Sequence, residues 1–194
     1  HIFTHTHIYI YIFIHKTTNK KNDDFRSVRQ HTSNTHTHTR QGLKLEDFEN
    51  FVVGVYGCGS IFVESLTCGD NKMVGAVTYG TKVVAKMSRV DSALLVAFQE
   101  NVNDSDAMGL AMDVFEKLKL STKAKVLVWS GLTLSNVFEK GEEEEEVPQM
   151  RQLCNSFWKE NSIRKLDTPS YISGIGAAFL SLCEMYKVPC AAFV

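Results

Sequence analysis

The chain has 194 residues, 44% hydrophobic and 22% charged, with 21 Lys+Arg against 22 Asp+Glu and a formal charge of −1. Those averages describe one globular domain with no electrostatic pull toward nucleic acid or a membrane surface. They also hide a division, because all seven histidines (His1, His5, His7, His15, His31, His36, His38) lie in the first 38 residues. The first 42 residues carry six Lys/Arg and two Asp, which leaves 15 basic and 20 acidic residues from Leu43 to Val194, a net of −5. Without histidine, that later part lacks a His general base, a Ser-His or Cys-His nucleophile pair and a His-ligated metal.

Residues 1–42 read as a low-complexity leader, expected to be disordered or a gene-model artefact. Ile8–Ile14 alternates isoleucine with aromatics, and Thr35–Thr39 alternates threonine with histidine. Strict alternation fits a strand, whose side chains switch faces at every residue. It also fits translated microsatellite DNA, since repeated AT encodes Ile-Tyr and repeated AC encodes Thr-His. The first methionine is Met73, inside the domain, so the natural N-terminus is expected upstream. A His/Thr tract without other ligands or a rigid scaffold makes only an adventitious metal site. The apolar run is short for a signal peptide, has no Lys or Arg before it and no small-residue cleavage pattern after it, and falls far below a membrane span.

The remaining residues, 43–194, suffice for one core. Phe51–Tyr56 is a continuous β-prone run, the pattern of a strand covered on both faces. Gly57-Cys58-Gly59 breaks it, and Ser60–Thr67 reads as a helix with Ile61, Phe62 and Leu66 near one face. Met73–Val90 reads as a less regular β-hairpin or edge pair, and Leu94–Phe98 as a second buried strand. A helix over about Asp106–Leu118 places Ala107, Leu110, Ala111, Val114, Phe115 and Leu118 on one face. Lys125–Ser130 is a third buried strand, Gly131–Val147 a long connection, and Met150–Lys159 a short amphipathic helix. The last helix, Ser173–Tyr186, carries Ile175, Ala178, Phe179, Leu182 and Met185 as its stripe, and Cys190–Val194 a last strand. Helices alternating with fully apolar strands predict an α/β domain, a three-layer Rossmann-like, mostly parallel sheet flanked by helices. A chain that stops in its final strand is expected to continue further.

Each candidate for chemistry has a structural alternative. Gly57-Cys58-Gly59 stands where α/β folds hold phosphates, but Phe62 replaces the third glycine of the fingerprint. No acidic residue follows near Ala76–Tyr79 for a ribose hydroxyl. A tight structural turn is the favoured reading, with a small nucleotide- or nucleoside-binding α/β enzyme as the alternative. Cys58 at a helix start resembles a nucleophile but has no base. Cys58, Cys68, Cys154, Cys183 and Cys190 contain no Cys-x-x-Cys pair, so they read as small buried hydrophobes. Glu142–Glu146 reads as a solvated loop rather than a binding tail. Asp104 and Asp106 fit a helix start better than a metal or acid pair with Asp113. Trp129 and Trp158 read as core or interface anchors. No catalytic, cofactor-binding or metal residue is assigned.

The closing segment from Asp167 to Cys190 resembles the last helix and strand of the proteasome assembly chaperone 1 family. The residues that carry this are Ala177-Ala178 with Leu180-Ser181, then Cys183, then the Lys187-Val188-Pro189 exit into an apolar strand. Phe51–Phe62 is similar to the family's first strand and glycine-containing turn, and Lys125–Ser130 to its strand before a long variable loop. The resemblance spans roughly Leu43–Val194 and is most specific in the last 28 residues. It implies a nucleoside-phosphorylase-like fold without a catalytic site, and a non-enzymatic chaperone. Such a protein pairs with a second assembly chaperone and holds the α-subunits of the 20S proteasome ring, preventing wrong self-association and premature docking of the regulatory cap. Its expected location is cytoplasmic or nuclear, with no cofactor, nucleic acid or membrane partner. Some relatives dock through a hydrophobic-Tyr-x C-terminal tail. This chain ends Ala192-Phe193-Val194, so tail docking does not carry over.

Overall fold

The structure, a computed structural model, describes residues 8–12, 48–67, 73–118, 120, 123–131, 150–160, 162–167 and 170–194. Their elements are β1 (Ile8–Ile12), β2 (Asn50–Gly54), α1 (Cys58–Ser65), β3 (Met73–Tyr79), β4 (Lys82–Val90) and β5 (Ala93–Phe98). There follow α2 (Asp104–Leu118), β6 (Lys125–Trp129), β7 (Gln152–Cys154), α3 (Gly174–Met185) and β8 (Cys190–Phe193). The strands form one sheet in the order β1-β3-β4-β5-β2-β6-β8-β7.

The four central strands are parallel, β2 pairing with β5 and β6, and β6 with β8. The outer pairings β1–β3, β3–β4, β4–β5 and β7–β8 are antiparallel. The sheet is therefore mixed, a correction to the mostly parallel one expected. The cause is loop length: β3 and β4 are joined by Gly80-Thr81 and β4 and β5 by Asp91-Ser92. Connections of two residues can only reverse the chain. The α/β class stands.

Why the central strands are continuously apolar is visible in their alternation. Phe51 and Val53, Leu94, Val96 and Phe98, Val126 and Val128, and Cys190 and Ala192 all enter the cluster formed with α2 and α3. The intervening Val52, Leu95 and Ala97 pack with Val63 of α1, joined by Leu127 and Trp129. Beyond them on that second face lie Ala191, Phe193 and Trp158. Every other residue thus meets a different helical layer, the demand a doubly covered sheet makes on sequence. Phe179 of α3 is fully buried, its ring 5.9 Å from Phe51 and 6.4 Å from Phe98.

Helix α2 buries the six residues that its periodicity predicts. Helix α3 buries Ile175, Ala178, Phe179 and Leu182, but Met185 is 72% exposed, a correction to the expected stripe. Its end explains the Lys-Val-Pro exit. Val188 N–H donates to Cys183 O (2.8 Å) and Lys187 N–H to Glu184 O (3.3 Å), with Lys187 at φ 58. This is a Schellman cap in which lysine occupies the left-handed position usually given to glycine.

One further expectation is corrected. Met150–Lys159 is not a helix but contains β7, because its backbone groups bond to β8 and its flank. Arg151 N–H donates to Val194 O (2.8 Å), Val194 N–H to Arg151 O (3.0 Å) and Asn155 N–H to Cys190 O (3.0 Å). The Asn155 side chain closes this edge, donating to Val188 O (2.7 Å) and accepting from Cys190 N–H (3.0 Å). In the leader expected to be disordered, Ile8–Ile12 is an edge strand in register with Tyr79–Gly75 of β3, as its alternation allows. The rest of that leader lies outside the described residues, as do Cys68 and Glu142–Glu146.

Candidate interaction surface

The glycine-rich turn after β2 is built by close backbone approach. Gly57 has φ 97 and ψ −136, a conformation open to glycine and strained for other residues. Val55 N–H donates to Trp129 O (2.8 Å), Ser60 N–H to Val55 O (2.7 Å) and Ile61 N–H to Gly57 O (3.1 Å). These bonds draw the start of α1 onto the end of β6. A Cβ on Gly59 would collide with the Trp129 carbonyl, one on Gly131 with Cys58 Sγ, and one on Gly54 would lie 2.6 Å from Gly59 O. Gly54 and Gly59 thus serve helix–strand packing. Their spacing around Cys58 needs no phosphate to explain it.

That packing decides which way α1 faces. Its buried residues are Gly59, Ser60 and Val63. The residues that the sequence groups as apolar point outward: Ile61 is 69% exposed, Leu66 46% and Phe62 39%, beside Tyr56 at 55%. The small residues turn inward because only they allow this backbone contact. Gln99 pins the helix from the sheet side, its Nε2 donating to Glu64 Oε1 (3.0 Å) and Ser60 Oγ (3.3 Å). Glu64 also pairs with Lys86 (3.5 Å).

The outward apolar face continues on both sides. Phe62 packs tilted against Trp129 (centroids 4.2 Å) and Trp129 stacks on Phe193 (4.9 Å), with Trp158 in the same cluster. Trp129 and Trp158 are therefore anchors, as expected. Toward the outer strands lies a groove of about 420 Å³ with Val63, Met73, Leu95 and Ala97 among its walls. A second group of exposed apolar residues, Met108 and Met112 of α2 and Met185 and Tyr186 at the end of α3, occupies the opposite layer. There Tyr186 stacks on Phe115 at 5.0 Å.

At the C-terminal ends of β2, β5 and β6 opens a polar cleft of about 520 Å³. Val55 and Tyr56, residues 100–104, Ser130 and Gly131, and residues 172–175 line it. This is where α/β sheets hold ligands, since the chain continues from β2 to one side and later returns to the other. Among the described residues the lining includes Glu100 and Asp104 and no Lys or Arg, which opposes a phosphate. Asp104 and Asp106 lie in the first turn of α2, as expected of a helix start.

The cysteines are not brought together at the turn. Cys58 is exposed, against the expectation of burial, because Gly131 leaves room for its sulfur at the surface. Cys154 is half-buried, while Cys183 and Cys190 are buried. A hydrogen bond with Cys183, and then burial, push the Cys190 thiol well above its ordinary range. Among the described residues no group of three His, Cys, Asp or Glu could hold a metal ion, and no helix is long and apolar enough to cross a membrane.

No protein-family model matches the sequence, and no curated protein matches it. Solved structures do. Pyrococcus furiosus PbaA, described as an archaeal homologue of proteasome-assembly chaperone, superposes with a TM-score of 0.56 at 12% identity, over 76% of this chain and 68% of that one. The two chains share a fold. A Thermoplasma acidophilum protein of unknown function gives 0.56 at 12% identity, over 77% and 68%. Pyrococcus furiosus PbaB, described as an archaeal proteasome activator, gives 0.50 at 12% identity, over 77% and 75%. The exposure of Ile61 and Leu66 is the signal that sequence reasoning missed, because helical periodicity marks an apolar face without saying whether this protein buries it.

Proposed function

We propose that the chain is a member of the proteasome assembly chaperone family that acts without catalysis, through protein contacts. It pairs with a second assembly chaperone and together they hold α-subunits of the 20S proteasome ring, in the cytoplasm or nucleus. Residues 43–194 form the chaperone domain, to whose sheet Ile8–Ile12 of the leader adds an edge strand.

The observation that carries this reading is the outward apolar face of α1 on a fold shared with PbaA. Ile61, Leu66 and Phe62 make a patch of the kind that marks a protein-binding site, and the packed rings of Phe62, Trp129 and Phe193 give it an aromatic floor. The partner chaperone covers this face and the ring subunits meet a second one. The alternative nucleotide-binding enzyme has the cleft in its favour and Glu100 and Asp104 against it.

Affinity purification of the tagged full chain from its own cells is the test. Co-purification of a related chaperone and proteasome α-subunits is the expected result. Recovery of neither, with saturable nucleotide binding that Cys58→Trp abolishes, would reverse the order of the two readings.

A further inference from the structure

Gly109 stands in the middle of α2, exposed, with nothing within 4 Å of the Cβ it lacks. A glycine there costs the helix about 1 kcal/mol relative to alanine, and no contact among the described residues requires it. Gly54 and Gly59, by contrast, are pressed against neighbouring backbone. A missing side chain on an open helix face leaves room for a second chain to approach closely. The surroundings are apolar. Met108 and Met112 are exposed one turn apart, in the i, i+4, i+7 row that ends at Phe115. Tyr186 stacks on Phe115, so the exposed Met185 and Tyr186 continue this surface onto α3.

The outermost ridge of α2 is Ser105, Gly109, Met112 and Glu116, all exposed. Its i, i+4, i+7, i+11 spacing is that of a seam between two helices. The ridge is its own complement when a second copy runs antiparallel. Ser105 then stands opposite Glu116 and Gly109 opposite Met112, in both directions about one twofold axis. Each Met112 fills the space over Gly109 of the other copy, and each Ser105 hydroxyl can donate to a Glu116 carboxylate.

We propose that the outer ridge of α2 is the seam of a homodimer, two copies packing antiparallel with Met112 of each seated over Gly109 of the other. This goes beyond the pairing with a second chaperone through α1, on the opposite layer, and does not depend on it.

The test is sedimentation equilibrium of the purified full chain over a dilution series. A dimer that dissociates at about 10–100 µM is expected, since a helix-pair interface lies at the weak end of protein contacts. Gly109→Met sets two methionines against each other, and Met112→Gly leaves a gap at each seat. Either change raises Kd about tenfold or more. Combining Gly109→Met with Met112→Gly exchanges knob and seat while keeping the parent's composition, and returns Kd to within about threefold of the parent. Misfolding could not imitate that recovery. A monomer at every concentration, assembly beyond two copies, a dimer that either single variant leaves intact, or no recovery in the double variant would each overturn the seam. Only the purified chain is used, so failure of co-purification in the experiment above would leave these results unchanged.

Discussion

Gly59 of α1 lies against the main-chain carbonyl of Trp129 at the end of β6, with no room for a side chain between them. Because the obstacle is backbone, it cannot rotate away. Gly59→Ala is therefore expected to cost about 3 kcal/mol, the upper range for overpacking. Gly109, in the middle of α2, has nothing within 4 Å of its missing Cβ, so Gly109→Ala should stabilise by up to about 1 kcal/mol through helix propensity. Urea unfolding of both variants checks the opposite signs, and equal effects would mean that the close approach is not real.

Lys187 caps α3 from the left-handed region, at φ 58, where a Cβ costs roughly 1–2 kcal/mol. Glycine removes that strain and returns part of the gain as unfolded-state entropy. Lys187→Gly should raise stability by about 1 kcal/mol, seen as a higher thermal midpoint. A fall would show that the lysine side chain holds the cap.

Ile61 is 69% exposed at the centre of the α1 face. Ile61→Glu should leave unfolding free energy within about 0.5 kcal/mol of the parent, as surface changes do, while abolishing recovery of the partner chaperone. Met112→Glu, on the layer formed with α3, should leave that recovery intact. The reverse pattern in the pull-down would move the pairing surface to α2 and α3.

Glu184 accepts hydrogen bonds from the Ser156 hydroxyl (2.6 Å) and backbone N–H (3.0 Å), and these hold its carboxyl below the ordinary glutamate value. A pKa lowered by folding contributes stability above the unfolded value, and that contribution is lost as pH falls through the folded value. Ser156→Ala should therefore raise the Glu184 pKa. It should lower stability near neutral pH and have less effect below about pH 4. Carbon-detected titration of the carboxyl and urea midpoints at the two conditions read both signs.

The α/β class, the central strands, the buried face of α2 and most of α3 were legible in the sequence. Strands buried on both faces must be continuously apolar and a helix packed on a sheet must repeat every three to four residues. Ala107 to Leu118 illustrates how far such a local rule reaches. The absence of histidine after His38 likewise narrowed the chemistry by composition alone. What local pattern could not decide was anything set by distant backbone. Residues 152–154 became a strand because β8 offered its edge. The apolar residues of α1 turned outward because Gly59 had to meet Trp129. Tyr56, Asp104 and Ser130 came to share a cleft because separate strands, β2, β5 and β6, end there. Tertiary structure made those decisions because each depends on which main-chain groups meet across the sheet, and neither periodicity nor propensity encodes that.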